Sequence, residues 1–293
     1  MRIAAVLTSS RPMKNYSILD CRHGAFFAQN NDVISMVMRY YGEWAENSFR
    51  LMNYFIPSAG VVVDVGANIG PLSIPMSKAV GWRGRVYAYE AQRHVFYGLC
   101  ANILLNDSTH ILARNLLIGS ESRIVGIPFF SDRSSSERTN IGAQSFLPFI
   151  YNELKDSDSV QMTTLDEQLG AESRCDLIKI DVEGAENIVL LGATKVLEKF
   201  RPVIYLECGS KALYECLRPL LKELGYNIFW HAAQHFYELN YFKCTNVTGN
   251  FGDMNILCIP VEEPLPGDEL EEFCLRKCGD WDDLTRSFPG FQF

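Results

Sequence analysis

The chain has 293 residues, 47% of them hydrophobic and 21% charged, with a formal net charge of -8. That is apolar content for one large α/β domain or two small ones, and it excludes a disordered or fibrous chain. The acidic balance argues against a phosphate-backbone partner, because nucleic-acid binders display a basic face, and leaves a small acceptor molecule as the expected partner.

No apolar run reaches the roughly eighteen residues that a membrane span requires, and Ile3 to Leu7 is too short for a signal-peptide core. The expectations are therefore a cytoplasmic protein and no membrane partner. The nine cysteines include no C-x-x-C pair. Cys100, Cys175, Cys208 and Cys258 lie in or beside apolar stretches and read as buried reduced thiols. Cys274 and Cys278 are one helical turn apart, and a zinc site there would need two more ligands.

Met1 to Asn31 mixes short apolar and polar pieces that fit no single element. From Asp32 the spacing Val33, Val37, Met38, Tyr41, then Trp44, Phe49, Met52, predicts two amphipathic helices broken near Gly42. Residues 1–58 then form a helical cap or lid over a core at 59–260. The core opens on Val61-Val62-Val63-Asp64-Val65-Gly66-Ala67-Asn68-Ile69-Gly70, a buried strand running into a glycine-spaced turn. Gly66 and Gly70 leave backbone N–H groups bare at the start of the next helix, which favours a ligand with a negative group. Asp64 just ahead of the loop asks for a positive group as well. A dinucleotide fingerprint has a third glycine and no such acid. S-adenosylmethionine, with its ammonium, carboxylate and sulfonium, meets both demands.

A helix over Ile69 to Val80 follows, with Pro71 tolerated in its first turn and Pro75 shortening or kinking it. The strand Arg85 to Tyr89 ends at Glu90, twenty residues after Gly70, where an acid can accept both hydroxyls of an adenosyl ribose. A helix over His94 to Leu105 and a strand over His110 to Arg114 come next, so that Asn115 to Gly119, including Leu117, falls where an adenine would lie. Between about 121 and 160 a polar run at Ser131 to Arg138 reads as the mobile tip of a hairpin insertion.

In the strand Asp176 to Asp181, Lys179 sits among Leu177, Ile178 and Ile180; a buried lysine needs a partner, and Asp181 shares its face. Asp181 and Glu183 then stand at the carboxyl end of a strand, where open α/β sheets bind ligands. A helix over Glu186 to Lys199 leads to the strand Val203 to Glu207. Asp64, Glu90, Asp181 and Glu207 thus put four acids at strand ends. After a helix over Lys211 to Leu224 and a strand over Tyr226 to Trp230 comes His231, and the last core strand is Asn255 to Pro260. The tail, 261–293, either docks on the core or mediates self-association into a homodimer.

These motifs resemble the FkbM family of methyltransferases: D-V-G-A-N-I-G at 64–70, V-Y-A-Y-E at 86–90 leading to Asn102 and Asn106, T-L-D-E-Q-L at 164–169, D-L-I-K-I-D-V-E-G-A-E at 176–186, R-P-V-I-Y-L-E at 201–207 and N-I-L-C-I-P at 255–260. The likeness spans roughly residues 40 to 260, and Ala91 departs from it where the family usually has proline. The resemblance implies a Rossmann-like class I fold: a mostly parallel seven-stranded sheet, helices on both faces, an antiparallel last strand. It also implies S-adenosylmethionine as cofactor and O-methylation of a sugar, polyketide or related hydroxyl.

Tyr41-Gly42-Glu43-Trp44 is similar to the Y-G-E-W of one branch, and Glu46 lies where the family tends to carry an acid near the cofactor. The expected cofactor contacts are Glu46, Asp64, Gly66, Asn68, Gly70, Glu90, Ala91, Leu117 and Asp181. For catalysis His231 is the expected base, with Asp181 and Glu183 beside it. The alternative is Asp181 and Glu207, with Glu183, binding Mg²⁺ to acidify the acceptor hydroxyl. A NAD-type oxidoreductase is the reading from another class.

Overall fold

Strand β3 (Val61–Val65) is buried at every position and lies in the interior of the main sheet. The computed structural model describes residues 15–128 and 157–288 apart from 266, 268, 269, 271 and 272, together with 290 and 291. Parallel to β3 on one side run β4 (Arg85–Tyr89) and then β5 (Ile111–Arg114). On its other side run β9 (Leu177–Ile180) and then β10 (Val203–Glu207). The chain therefore steps outward from β3, returns across it, and steps outward the other way. The reversal between β3 and β9 opens a crevice at their carboxyl ends.

The long strand β12 (Gly252–Pro260) lies antiparallel between β10 and β11 (Tyr226–Gln234). This is the expected mostly parallel Rossmann-like sheet with an antiparallel last strand. A two-residue strand, β13 (Arg276–Lys277), adds an eighth at the edge of β11. It belongs to the tail, which docks on the core: Cys278 N–H donates to Ile228 O at 2.9 Å, and the Trp281 ring meets Trp230 at 5.7 Å.

Alternation along β3 supplies both layers. Val61, Val63 and Val65 face one hydrophobic cluster, shared with α5 (Leu165–Gln168), α6 (Glu186–Leu191), α7 (Thr194–Phe200) and α8 (Lys211–Glu223). Val62 faces the other, built with α1 (Val33–Tyr41), α2 (Glu46–Tyr54), α3 (Ser73–Val80) and α4 (Arg93–Leu105). The strands β6 (Leu117–Ile118), β7 (Arg123–Pro128) and β8 (Ser157–Thr163) form a separate small sheet. The antiparallel pair β7 and β8 are the arms of the expected insertion, and its proposed tip lies outside the described residues. Helix α9 (Asp282–Ser287) closes the tail.

Four expectations need correction. Residues 16–29 form a hairpin, β1 (Tyr16–Cys21) with β2 (Gly24–Gln29), so the N-terminal cap is not purely helical. The helix after the glycine loop begins at Ser73 rather than Ile69, since Ala67 to Leu72 form a turn. The helix from Glu186 is split at Gly192 and Ala193 into α6 and α7, and only glycine fits at the break, since a Cβ at Gly192 would lie 1.9 Å from Gly119 O. Finally, β11 runs four residues beyond Trp230. The two helices broken at Gly42 are as expected: Asp32 caps α1, and Gly42 ends it in the left-handed region.

The hairpin is tied to the core by two asparagines, Asn102 in α4 and Asn106 at its C-terminal cap. Asn102, fully buried, accepts from Phe27 N at 2.6 Å and donates to Ile69 O at 2.8 Å. Asn106 pairs in the same way with both backbone groups of Ala25. Replacing Asn102 with alanine strands a buried N–H and a carbonyl of the glycine loop. Asn102→Ala should lower stability by about 2–3 kcal/mol in urea denaturation, whereas a loss within error would show that the hairpin is not held by this contact.

Candidate functional site

Asp64 and Lys179 are direct neighbours in the β3–β9 register. Their carboxylate and ammonium meet at 3.1 Å, with Asp64 fully buried and the Lys179 side chain nearly so. Ser73 Oγ donates to the other Asp64 oxygen at 2.5 Å, and Lys179 also donates to Gly66 O at 2.8 Å. Burial alone would lower the lysine pKa, but Asp64 and Asp181 outweigh it and hold the ammonium above its ordinary range. The loop after β3 is thus pinned by its first carbonyl. Gly66 adopts a φ of +77°, and a Cβ there would lie 1.8 Å from Asp181 O, so no other residue lets the two strand ends approach so closely.

Glu90 closes β4 beside this loop and is 6% exposed. One of its oxygens accepts from Asn68 N at 2.9 Å, and the other accepts from Gln92 N at 2.8 Å. Burial pushes its pKa up to about 7 against the pull of those two N–H groups. Asn68 sits at φ +52°, a left-handed conformation that asparagine tolerates.

After β9 the chain turns sharply through Asp181-Val182-Glu183-Gly184. Glu183 is itself left-handed, at φ +55°, a strained state for glutamate. The turn is clamped by Glu186, which is fully buried and accepts from Val182 N at 3.0 Å and Gly184 N at 3.2 Å. Asp181, Glu183 and Glu207 bring one oxygen each within 4.8 Å of the others.

Gly66, Asn68, Glu90, Lys179, Asp181, Glu183 and Glu207 all line one cavity of about 240 Å³, joined by Trp44, His235, Phe251 and Asp253. A narrow adjoining crevice shares Gly66, Glu90, Asp181 and Glu183 and adds Ala91, Leu116 and Leu117. Burial, reinforced by neighbouring carboxylates, raises Glu183 to about 8 and Asp253 to about 7. Glu207 is raised furthest, by burial and then by Asp181, Glu183 and Asp253.

Other expected residues stand elsewhere. Asp64 is sealed behind Lys179 and Ser73, so it shapes the loop rather than lining the cavity. Gly70 lies off the wall, packed toward Leu99. Glu46 turns away to His23, 2.6 Å from its Nε2, and toward Arg22. His231 is corrected most sharply: because β11 continues to Gln234, its side chain faces the α2 side. There its Nδ1 lies 2.8 Å from the Tyr205 hydroxyl, and burial lowers its pKa to about 3. It opens on a different cavity, with Asn47, Arg50 and Phe273.

The histidine on the cofactor-side cavity is His235, stacked on Trp44 at 4.6 Å with Phe251 against its edge. Asp253 is not among the expected site residues, because the sequence pattern starts the last strand at Asn255, three residues after its observed start at Gly252; an antiparallel strand enters at the edge where its parallel neighbours end. Glu186 was the visible signal left unused, a glutamate three residues after Glu183 in a turn full of bare N–H groups.

A sequence model described as the methyltransferase FkbM domain matches residues 64–228. Among solved structures, the chain is similar to a methyltransferase FkbM from Methylobacillus flagellatus KT, at 17% identity and a TM-score of 0.44, covering 69% of this chain and 44% of that one. It thus spans less than half the length of that protein. A SAM-dependent O-methyltransferase from Thermotoga maritima shares 14% identity over 86% of this chain and 80% of its own, with a TM-score of 0.44. Fibrillarin from Aeropyrum pernix, with natively bound S-adenosyl-L-methionine, shares 12% identity over 84% and 94%, with a TM-score of 0.43. No curated protein matches the sequence. No helix among the described residues is long and apolar enough to cross a membrane.

Two outcomes follow from the electrostatics. Lys179→Met leaves Asp64 buried without its counter-ion and should cost about 3–5 kcal/mol in urea denaturation, a loss partly restored by adding Asp64→Asn. Glu183 titrates near 4.5 when unfolded and about 8 when folded, so its ionisation favours the unfolded chain and stability falls as pH rises across that window. Glu183→Gln should therefore raise the melting temperature of the ligand-free protein above pH 8 and leave it unchanged near pH 4; equal shifts at both pH values would refute the raised pKa.

Proposed function

This chain belongs to the FkbM methyltransferase family, and on that premise we propose that it moves the methyl group of S-adenosylmethionine onto a hydroxyl of a small molecule of the sugar or polyketide kind. The observation that carries this reading is the joining, in one cavity, of an anchored acid suited to a ribose with carboxylates that exchange protons near neutral pH.

The residues fit the cofactor. Glu90 has its oxygens fixed by Asn68 and Gln92 N–H groups and keeps lone pairs free for the two ribose hydroxyls. Ala91, Leu116 and Leu117 supply an apolar slot for an adenine ring. Asp181, with its side chain 42% exposed, is the carboxylate on the wall that can meet an ammonium. When bound, S-adenosylmethionine supplies a methyl carbon on a sulfonium, whose departure needs no acid. The acceptor oxygen forms the new bond to that carbon, and the carbon–sulfur electron pair stays with sulfur.

What the chain must provide is position and a destination for the hydroxyl proton. Asp253 and Glu183, raised to about 7 and about 8, take up that proton and release it to solvent within the physiological range. A need for such acceptors favours a hydroxyl over an amine, which reacts as a free base. Asp181, Glu183 and Glu207 also speak against a dinucleotide, whose pyrophosphate would meet a wall of carboxylates.

Calorimetry on the whole chain tests the reading. Wild type should bind S-adenosylmethionine, and Glu90→Ala should weaken it about 10- to 100-fold. Asp253→Asn should leave binding intact and lower methyl transfer to a hydroxylated acceptor by about 100-fold or more. Absence of S-adenosylmethionine binding by the wild type would sink the proposal.

A further inference from the structure

The carboxylates at the ends of β9 and β10 exceed what methyl transfer needs. Asp181, Glu183 and Glu207 each offer an oxygen within 4.8 Å of the others, and Asp253 faces the same cavity. Lys179 is the one cationic side chain among the described residues on that wall, and its ammonium is already engaged by Asp64 at 3.1 Å and Gly66 O at 2.8 Å. It reaches Asp181 only at 3.4 Å. Glu183 is held there in a strained left-handed turn, clamped from behind by Glu186.

A second observation is independent of the acids. His235 is 3% exposed, lines the cavity, and has an Nδ1 with no hydrogen-bond partner. Its Nε2 is aimed at Asp253 Oδ1 across 3.8 Å, too far for a hydrogen bond. The imidazole is fixed by Trp44 and Phe251, and burial keeps it neutral, so it does not offset the carboxylates. A buried polar ring left short of a partner beside a group of acids marks a place where something else belongs.

We propose that Asp181, Glu183 and Glu207 hold a hard divalent cation, Mg²⁺ or Mn²⁺, with Asp253 and His235 facing its bound waters. An all-carboxylate donor set selects a hard ion. Cation–oxygen distances of about 2.1 Å put opposite ligands about 4.2 Å apart, within the 4.8 Å span of these oxygens. Three protein ligands leave positions open for water and for an acceptor hydroxyl. The cation's role in catalysis rests on the methyl-transfer reading. In that role it acidifies the bound hydroxyl, and with Glu183 engaged as a ligand the proton passes to Asp253. The binding itself does not rest on that reading.

The test is titration of the chelator-treated full chain with Mn²⁺, read by calorimetry and by the loss of the free-ion electron paramagnetic resonance signal. Wild type should bind one Mn²⁺ per chain, competed by Mg²⁺. Glu207→Gln and Asp181→Asn should each weaken binding by at least about 10-fold, and so should His235→Phe, which removes the outer partner. Glu172→Gln, a carboxylate far from the cavity and paired with Arg85, should change nothing. Circular dichroism confirms that each variant is folded. Absence of saturable binding at millimolar Mn²⁺, or equal binding by wild type, Glu207→Gln and Asp181→Asn, overturns the proposal. S-adenosylmethionine binding measured on the same sample separates the two readings: its presence without Mn²⁺ binding overturns only the cation site, and Mn²⁺ binding without it overturns only methyl transfer.

Discussion

The buried ion pair between Asp64 and Lys179 is the constraint from which the site is built. Two charges removed from water are stable only when each finds the other and its remaining polar partners. Here Ser73 and the Gly66 carbonyl complete that set. The pair lies across the reversal point of the sheet, so satisfying it fixes β3 against β9 and the first turn of the loop together. It also places Asp181, two residues beyond Lys179 on the same face, at the cavity's edge. A slip of one residue in that register would turn Lys179 into the opposite, wholly apolar cluster, and the alternation along both strands forbids it.

With the loop fixed, the remaining acids are arranged by how each strand ends. Glu90, Glu207 and the Asp181–Glu183 turn sit at carboxyl ends of parallel strands, while Asp253 arrives at the same edge by running the other way in β12. Burial, and then crowding by neighbouring carboxylates, explains the raised pKa values of Glu183, Glu207 and Asp253, with Lys179 pulling the other way on Glu183 and Asp253. Such a pocket favours ligands that carry positive charge and rejects anions. A sulfonium donor meets that demand in part.

Much of this edge was legible in the chain itself, because the rules involved are short-ranged. A β-branched run interrupted by Asp64, a lysine among apolar residues, and acids at predicted strand ends are each readable within a few residues. The Asp64–Lys179 contact was half visible: the lysine needed a partner, but period-two spacing pointed to Asp181, and only the sheet order brings Asp64 closer. His231 was misplaced because β11 has no turn residue at its expected end, so alternation runs on and carries the imidazole to Tyr205 on the far face. The hairpin at 16–29 was missed since neither strand carries a clean alternating pattern; its stability comes from Asn102 and Asn106, far along the chain.

The histidines make the same point about what sequence leaves open. His231 and His235 are four residues apart, both buried and both neutral at physiological pH. One ends a hydrogen-bonded path through Tyr205 to Ser48, a closed polar unit in the core. The other is held between aromatic rings with its Nδ1 lacking a partner and its Nε2 turned to Asp253. Residue type and burial do not separate them. The difference is made by β11, which ends at Gln234, so that His231 remains in the ladder opposite Asn255 while His235 follows the chain out of it, over the acidic edge. A residue's chemistry here is decided by where its strand stops.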